Sequence, residues 1–97
     1  MPLEMKSTVE LMCSENYKDR FIAEYWQTKH RYEKLKALCT KIEAATCFIP
    51  ESALVAEPKH DCPLALLQQQ QHVMGEYLRC LEVRSVIENI DIGLGGD

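Results

Sequence analysis

The sequence predicts an all-α protein: an antiparallel two-helix hairpin with a short N-terminal helix and a long connector, assembling into a helical bundle oligomer. Three observations carry this. Tyr17 to Ala45 contains neither Gly nor Pro, and Phe21, Tyr25, Thr28, Tyr32, Leu35, Cys39 and Ile42 recur at alternating steps of four and three. A second seam, Leu64, Leu67, Gln71, Met74, Leu78, Leu81 and Ser85, recurs at steps of three and four. Both are heptad patterns. Between them, Pro50 and Pro58 rule out one continuous helix.

The elements follow in order within a single domain, residues 1–97. Ser7 with Glu10 fits a capping box, so Thr8 to Cys13 forms a short helix. Helix 1 covers about 16–45, with Asn16 as N-cap and Asp19 in the first turn, where the helix dipole favours an acid. Ile22, Leu38 and Ala45 widen its seam. The connector, 46–62, offers Phe48, Ile49, Leu54 and Val55 to fold back on the helices. Helix 2 covers about 63–88 and opens at Pro63, whose missing N–H is harmless in a first turn. Leu66, Val73, Tyr77, Cys80 and Ile87 widen this seam. The helix frays near Asn89, and Gly93, Gly95 and Gly96 make a flexible tail, 93–97. One hairpin cannot cover two such wide apolar stripes, which predicts a homo-oligomer.

The chain has 97 residues, 46% hydrophobic and 27% charged, the balance of an ordinary globular domain. Its net charge of −4 argues against binding a nucleic acid polymer. The charge is unevenly spread: residues 17–43 carry seven basic against four acidic side chains, and residues 51–97 three against eight. Two oppositely charged segments packing together explain this, as does a local cationic site on the first. Near the N-terminus no basic region precedes an apolar run, and no stretch is long and apolar enough to span a membrane. With five cysteines, an odd number, the expectation is a cytoplasmic protein with reduced thiols, Cys39 and Cys80 serving as small core residues.

Enzyme chemistry finds little support. Cys39, Cys47, His60 and Cys62 lack the paired spacing of a structural zinc site. Cys62 near a helix N-terminus, two residues after His60, has no recognisable oxyanion hole beside it. The terminal glycines follow no strand and precede no helix, so they do not form a phosphate loop. No catalytic residue, metal or cofactor is expected.

The candidate ligand-binding residues are Tyr25, Trp26, Lys29 and Arg31 on helix 1, beside His30 and Tyr32, and Tyr77, Arg79 and Arg84 on helix 2. Aromatic rings beside guanidinium groups suit stacking on a base and pairing with a phosphate. The same residue types are equally at home in a subunit interface. Gly75, inside a helix, costs about 1 kcal/mol against Ala, a cost that close approach of another helix or a ligand would explain. The Gln68–Gln71 run reads as a solvated face, with Gln71 alone on the seam.

The block VELMCSENYKDRFIAEYWQTKHRYEKL (Val9–Leu35) resembles the N-terminal half of a family of small helical proteins encoded by phages and prophages of Gram-positive gut bacteria, named after a crAss-like phage gene. The block CPLALLQQQQHVMGEYLRCLEVRSVIENIDI (Cys62–Ile92) is similar to its C-terminal half. Met74, Tyr77, Leu78, Leu81, Arg84, Glu88, Ile90 and Asp91 carry the most specific part. Asn89 stands where that family commonly has Gly. The resemblance implies an all-helical phage accessory protein acting in the bacterial host cell and supplies no catalytic residues. Two functions follow as expectations. One is a non-catalytic host-defence antagonist that sequesters a nucleotide-derived immune signal at a subunit interface. The other is a helical protein-binding module that masks a host defence protein or scaffolds a phage complex.

Overall fold

The computed structural model describes residues 3–48 and 56–93, and these are helical or irregular, without strands. A short 3₁₀ turn, Met5–Ser7, leads into α1 (Thr8–Met12). The long central helix α2 (Tyr17–Glu43) continues through one π-helical turn, Ala44–Phe48, and α3 (Leu64–Ile87) follows the connector.

The start of α2 is built by local side chains. Asn16 Oδ1 accepts from the Lys18 N–H at 2.9 Å, satisfying one of the helix's orphan donors. Asp19 accepts from the Ser14 hydroxyl at 2.7 Å. The capping box expected at Ser7 does not form: the 3₁₀ turn runs straight into α1, Ser7 is helical, and no side chain caps it. Thr8 instead donates to the Met5 carbonyl. At α3, Pro63 is the N-cap and not the first helical residue; its carbonyl accepts from the Leu66 and Leu67 N–H groups.

α2 is covered on two faces. On one, α1 and the turn before it lie across Ala23, Gln27 and His30: Gln27 Nε2 donates to Thr8 Oγ1 at 2.9 Å, and His30 Nε2 meets the Leu3 carbonyl. On the other, α3 runs in the opposite direction. Tyr17 meets Glu88, Tyr25 meets Glu82, Tyr32 lies over Gly75 and Glu43 meets Gln68, so partner numbers fall as α2 numbers rise. The core between them is Phe21, Tyr25, Leu78, Leu81, Ile90 and Ile92.

Several expectations change here. The end of α3 does not fray. Asn89 adopts a left-handed φ of 57°, and the Ile90 N–H bonds the Ser85 carbonyl at 2.8 Å, which is the Schellman stop. That reversal returns Ile90 and Ile92 to the core. Cys80 is exposed, not a core residue; Cys39 is buried as expected, and burial pushes its thiol pKa up. Ile49, Leu54 and Val55, expected to fold back, lie outside the described residues, as do Gly95 and Gly96. No helix of the described residues is long and apolar enough to cross a membrane. The two charge-biased segments do pack together, with no ion pair between them among the described residues. Among the described residues every ion pair is local in sequence: Lys29–Glu33, His60–Glu57, His72–Glu76 and Arg84–Glu88.

Candidate functional site

The α2–α3 pairing forms a groove of about 800 Å³ along one flank. That volume is in the range of small-molecule sites. α2 supplies Tyr32 and Glu43, and α3 supplies Gln68, Gln71, His72, Gly75, Glu76, Arg79 and Cys80. Gly75 lies at the floor of this groove, facing Tyr32. A Cβ there would sit 3.4 Å from Tyr32 Cε1 and 3.6 Å from its hydroxyl, so the Tyr32 ring lies flush against the α3 backbone. The nearest neighbour of this glycine is thus α2 of the same chain, at a distance that would still admit a Cβ.

The polar groups of the groove are unequally engaged. Glu43 Oε2 accepts from Gln68 Nε2 at 2.8 Å. Glu76 Oε1 stands 3.3 Å from His72 Nε2. Arg79 is exposed and forms no ion pair among the described residues. It is the one arginine that lines this groove among the described residues. Lys29 lies nearby on α2, 5.9 Å from the centre of the Tyr32 ring, and pairs with Glu33 at 3.4 Å.

The seven residues singled out from the sequence do not converge. Arg79 alone lines the groove. Tyr25 is 2% exposed and its hydroxyl donates to Glu82 Oε2 at 2.8 Å. Burial, and then that bond, raises its pKa well above the ordinary phenol value. Trp26 packs edge-on against Tyr25 with centroids 5.1 Å apart, and against His30 at 6.2 Å. Tyr25 is a core residue, and Trp26 is partly buried against that core. Arg84 is 4.9 Å from the Phe21 ring and bonds Glu88 through Nε at 2.6 Å. Arg31 and Tyr77 are exposed and lie outside the groove. Tyr32 belongs to the aromatic cluster the sequence singles out, whereas Glu43, His72 and Glu76 carry no such signal, because they meet only through the inter-helix register. Gly75 was the available signal.

Other candidate chemistry is not assembled. No cluster of three or more His, Cys, Asp or Glu side chains able to hold a metal occurs among the described residues. His60 bridges its own loop: Nε2 meets Glu57 at 2.8 Å and Nδ1 meets the Cys62 carbonyl at 2.7 Å. The Glu57 bond, then the Cys62 carbonyl, raises its pKa. That geometry anchors the approach to α3 and leaves the imidazole no free nitrogen to activate the Cys62 thiol.

No curated protein matches the chain, and no solved structure does. One family model matches, over residues 15–87. The match takes in both long helices, the connector and every groove residue, and by it the chain belongs to the Sequestin family.

Proposed function

We propose that this chain is a non-catalytic, phage-type accessory protein that binds and sequesters a nucleotide-derived immune signal in the cytoplasm of a bacterial host, working as a homo-oligomer. The family's name is consistent with a sequestering role. The observation that carries the ligand class is the groove. It offers an aromatic wall (Tyr32), an amide that reads hydrogen-bonding edges (Gln71), and a guanidinium (Arg79) with no ion-pair partner among the described residues. These are the parts that hold a base, sugar hydroxyls and a phosphate. With two carboxylates in the same wall, the groove favours a ligand of low negative charge over a polyphosphate. In this reading the ligand seat is the groove of one chain, an alternative to a pocket between subunits.

Calorimetric titration with cyclic di- and trinucleotides and ADP-ribose derivatives tests this. One ligand per chain is expected, with roughly 10-fold or greater weakening in Arg79→Ala, the scale of a lost charged hydrogen bond. Absence of binding across the panel overturns the reading.

The second reading, a helical module that masks a host defence protein, draws on the exposed apolar side chains of α3. Recovery of one stoichiometric host protein from lysate supports it, and an empty pull-down counts against it.

A further inference from the structure

All five cysteines are free thiols, and four of them, Cys13, Cys47, Cys62 and Cys80, are exposed. The α2–α3 register sorts these four. Glu43 near the end of α2 meets Gln68 near the start of α3. Cys47 lies four residues beyond Glu43, and Cys62 six residues before Gln68, so both stand where the connector leaves α2 and enters α3. Cys13 precedes α2, and the 27 residues of that helix put about 40 Å between it and Cys47. Cys80 lies about 24 Å along α3 from the first residue of that helix. Cys47 and Cys62 are therefore the one exposed pair that shares an end of the molecule.

Reach decides whether the two can join. From Glu43 to Cys47, in the π-helical turn that continues α2, is about 6 Å along the axis, and from Gln68 back to Leu64 is about 6 Å along α3. Cys47 and the first residue of α3 are thus nearly level. Cys62 stands two residues before Leu64, and two residues of chain span about 7 Å. A disulfide needs Cα atoms about 4.4–6.8 Å apart, and packed helix axes lie about 8–10 Å apart. Swinging those two residues toward α2 covers that gap with both helices in place. Cys62 is tied to the α3 side by its carbonyl, which accepts from His60 Nδ1 at 2.7 Å, while its side chain stays exposed.

We propose that Cys47 and Cys62 are an oxidant-responsive dithiol that closes a reversible disulfide across the two ends of the connector. With hydrogen peroxide as oxidant, the thiolate of one cysteine attacks the O–O bond, giving a sulfenic acid and hydroxide. The second thiol then attacks that sulfur, the S–S bond forms, and water leaves. The balance is two thiols and one peroxide to one disulfide and two waters, each sulfur losing one electron. An exposed pair of this kind suits a labile, regulatory link rather than a permanent one. The link lies one helical turn from Glu43, so it pins the connector end of the groove, where Glu43 meets Gln68. It depends neither on the ligand nor on the oligomeric state.

Treating the full chain with hydrogen peroxide, then counting thiols in denaturant and mapping peptides without reductant, tests the proposal. The five thiols of the chain are expected to fall by two, with a Cys47-to-Cys62 peptide pair that dithiothreitol separates. The oxidised chain is expected to unfold at a higher urea midpoint than the reduced one, because the link constrains the unfolded state. Cys62→Ser is expected to lose both the link and the shift, and Cys80→Ser to keep both. Phenylarsine oxide, which bridges paired thiols without oxidising them, is expected to be retained by the wild type and lost from Cys62→Ser. A link between two chains, a link through another cysteine, or oxidation of Cys47 and Cys62 to separate sulfinic acids overturns the proposal. Equal arsenic retention in the wild type and Cys62→Ser overturns it as well. The peptide map of the wild type decides the matter even if a variant fails to fold. Because every readout is taken without nucleotide, failure here leaves sequestration standing, and failure of nucleotide binding leaves the dithiol standing.

Discussion

The Tyr25 hydroxyl donates to Glu82 Oε2 at 2.8 Å across the α2–α3 seam, joining residues 57 apart in sequence. Tyr25 is nearly fully buried, while Glu82 is half-buried. The bond therefore works where water competes poorly, and it fixes the register that places Tyr32, seven residues on in α2, against Gly75, seven residues back in α3. The groove depends on that register.

Tyr25→Phe is expected to cost about 1 kcal/mol, the ordinary value of such a bond, read as a lower urea midpoint with unchanged slope. The raised phenol pKa adds a sign. The unfolded phenol ionises near pH 10, whereas the folded one resists. This part of the stability is thus present below about pH 10 and lost as pH rises above it. The alkaline loss should be smaller in Tyr25→Phe. An identical alkaline limb in both proteins would contradict the assignment.

At the other end of α3, Asn89 holds a left-handed φ of 57° that glycine adopts with less strain. Asn89→Gly is expected to raise stability by about 0.5 kcal/mol. Ile92→Ala, three residues on, is expected to lower it by about 2–4 kcal/mol, as for a core residue. Both are read from urea unfolding. A neutral Ile92→Ala would mean that the chain after α3 is not part of the core.

That chain end marks the limit of what sequence reading reaches. The heptad seams, the Asn16 cap and the extent of α2 are local patterns, and each is visible in the residues themselves. Ile90 and Ile92 follow a helix stop, and nothing in their spacing says that a Schellman turn will fold them back onto Phe21. Cys80 fails for a related reason: helical spacing places it on a widened stripe, but α2 covers only one side of that stripe. Tyr25, Trp26 and Arg84 have ligand-binding chemistry and are occupied by packing and by Glu88. The groove was the least visible feature, since Tyr32, Glu43, His72 and Glu76 converge only when two helices meet in one register.

Gly75 separates stability from binding. Ala at this position meets Tyr32 at an ordinary contact distance of 3.4 Å and gains up to about 1 kcal/mol of helix propensity. Gly75→Ala is therefore expected to melt at a higher temperature than the wild type. Gly75→Leu places a branched side chain into the groove, and its expected signature is native helicity with nucleotide binding lost. Full binding in Gly75→Leu would place the ligand elsewhere.

Glu88 gives a prediction at low pH. Its carboxyl lies below the usual range because Arg84 bonds it, with a smaller contribution from the Tyr17 hydroxyl. The stability it adds is present above the unfolded value near pH 4.3 and is lost as pH falls through the lower folded one. Thermal midpoints from pH 6 to pH 2 should fall less steeply in Glu88→Gln than in the wild type. Parallel curves would show that the exposed pair adds nothing.

The central claim is that the α2–α3 groove holds a nucleotide-derived signal and returns it intact. Its most direct measurement is to saturate the purified chain with a titrated nucleotide, remove the free ligand, heat the protein, and identify the released compound by absorbance near 260 nm and by mass. The prediction is one unaltered nucleotide per chain from the wild type and little or none from Arg79→Ala or Gly75→Leu. Release of a cleaved product, or equal recovery from all three proteins, would contradict it.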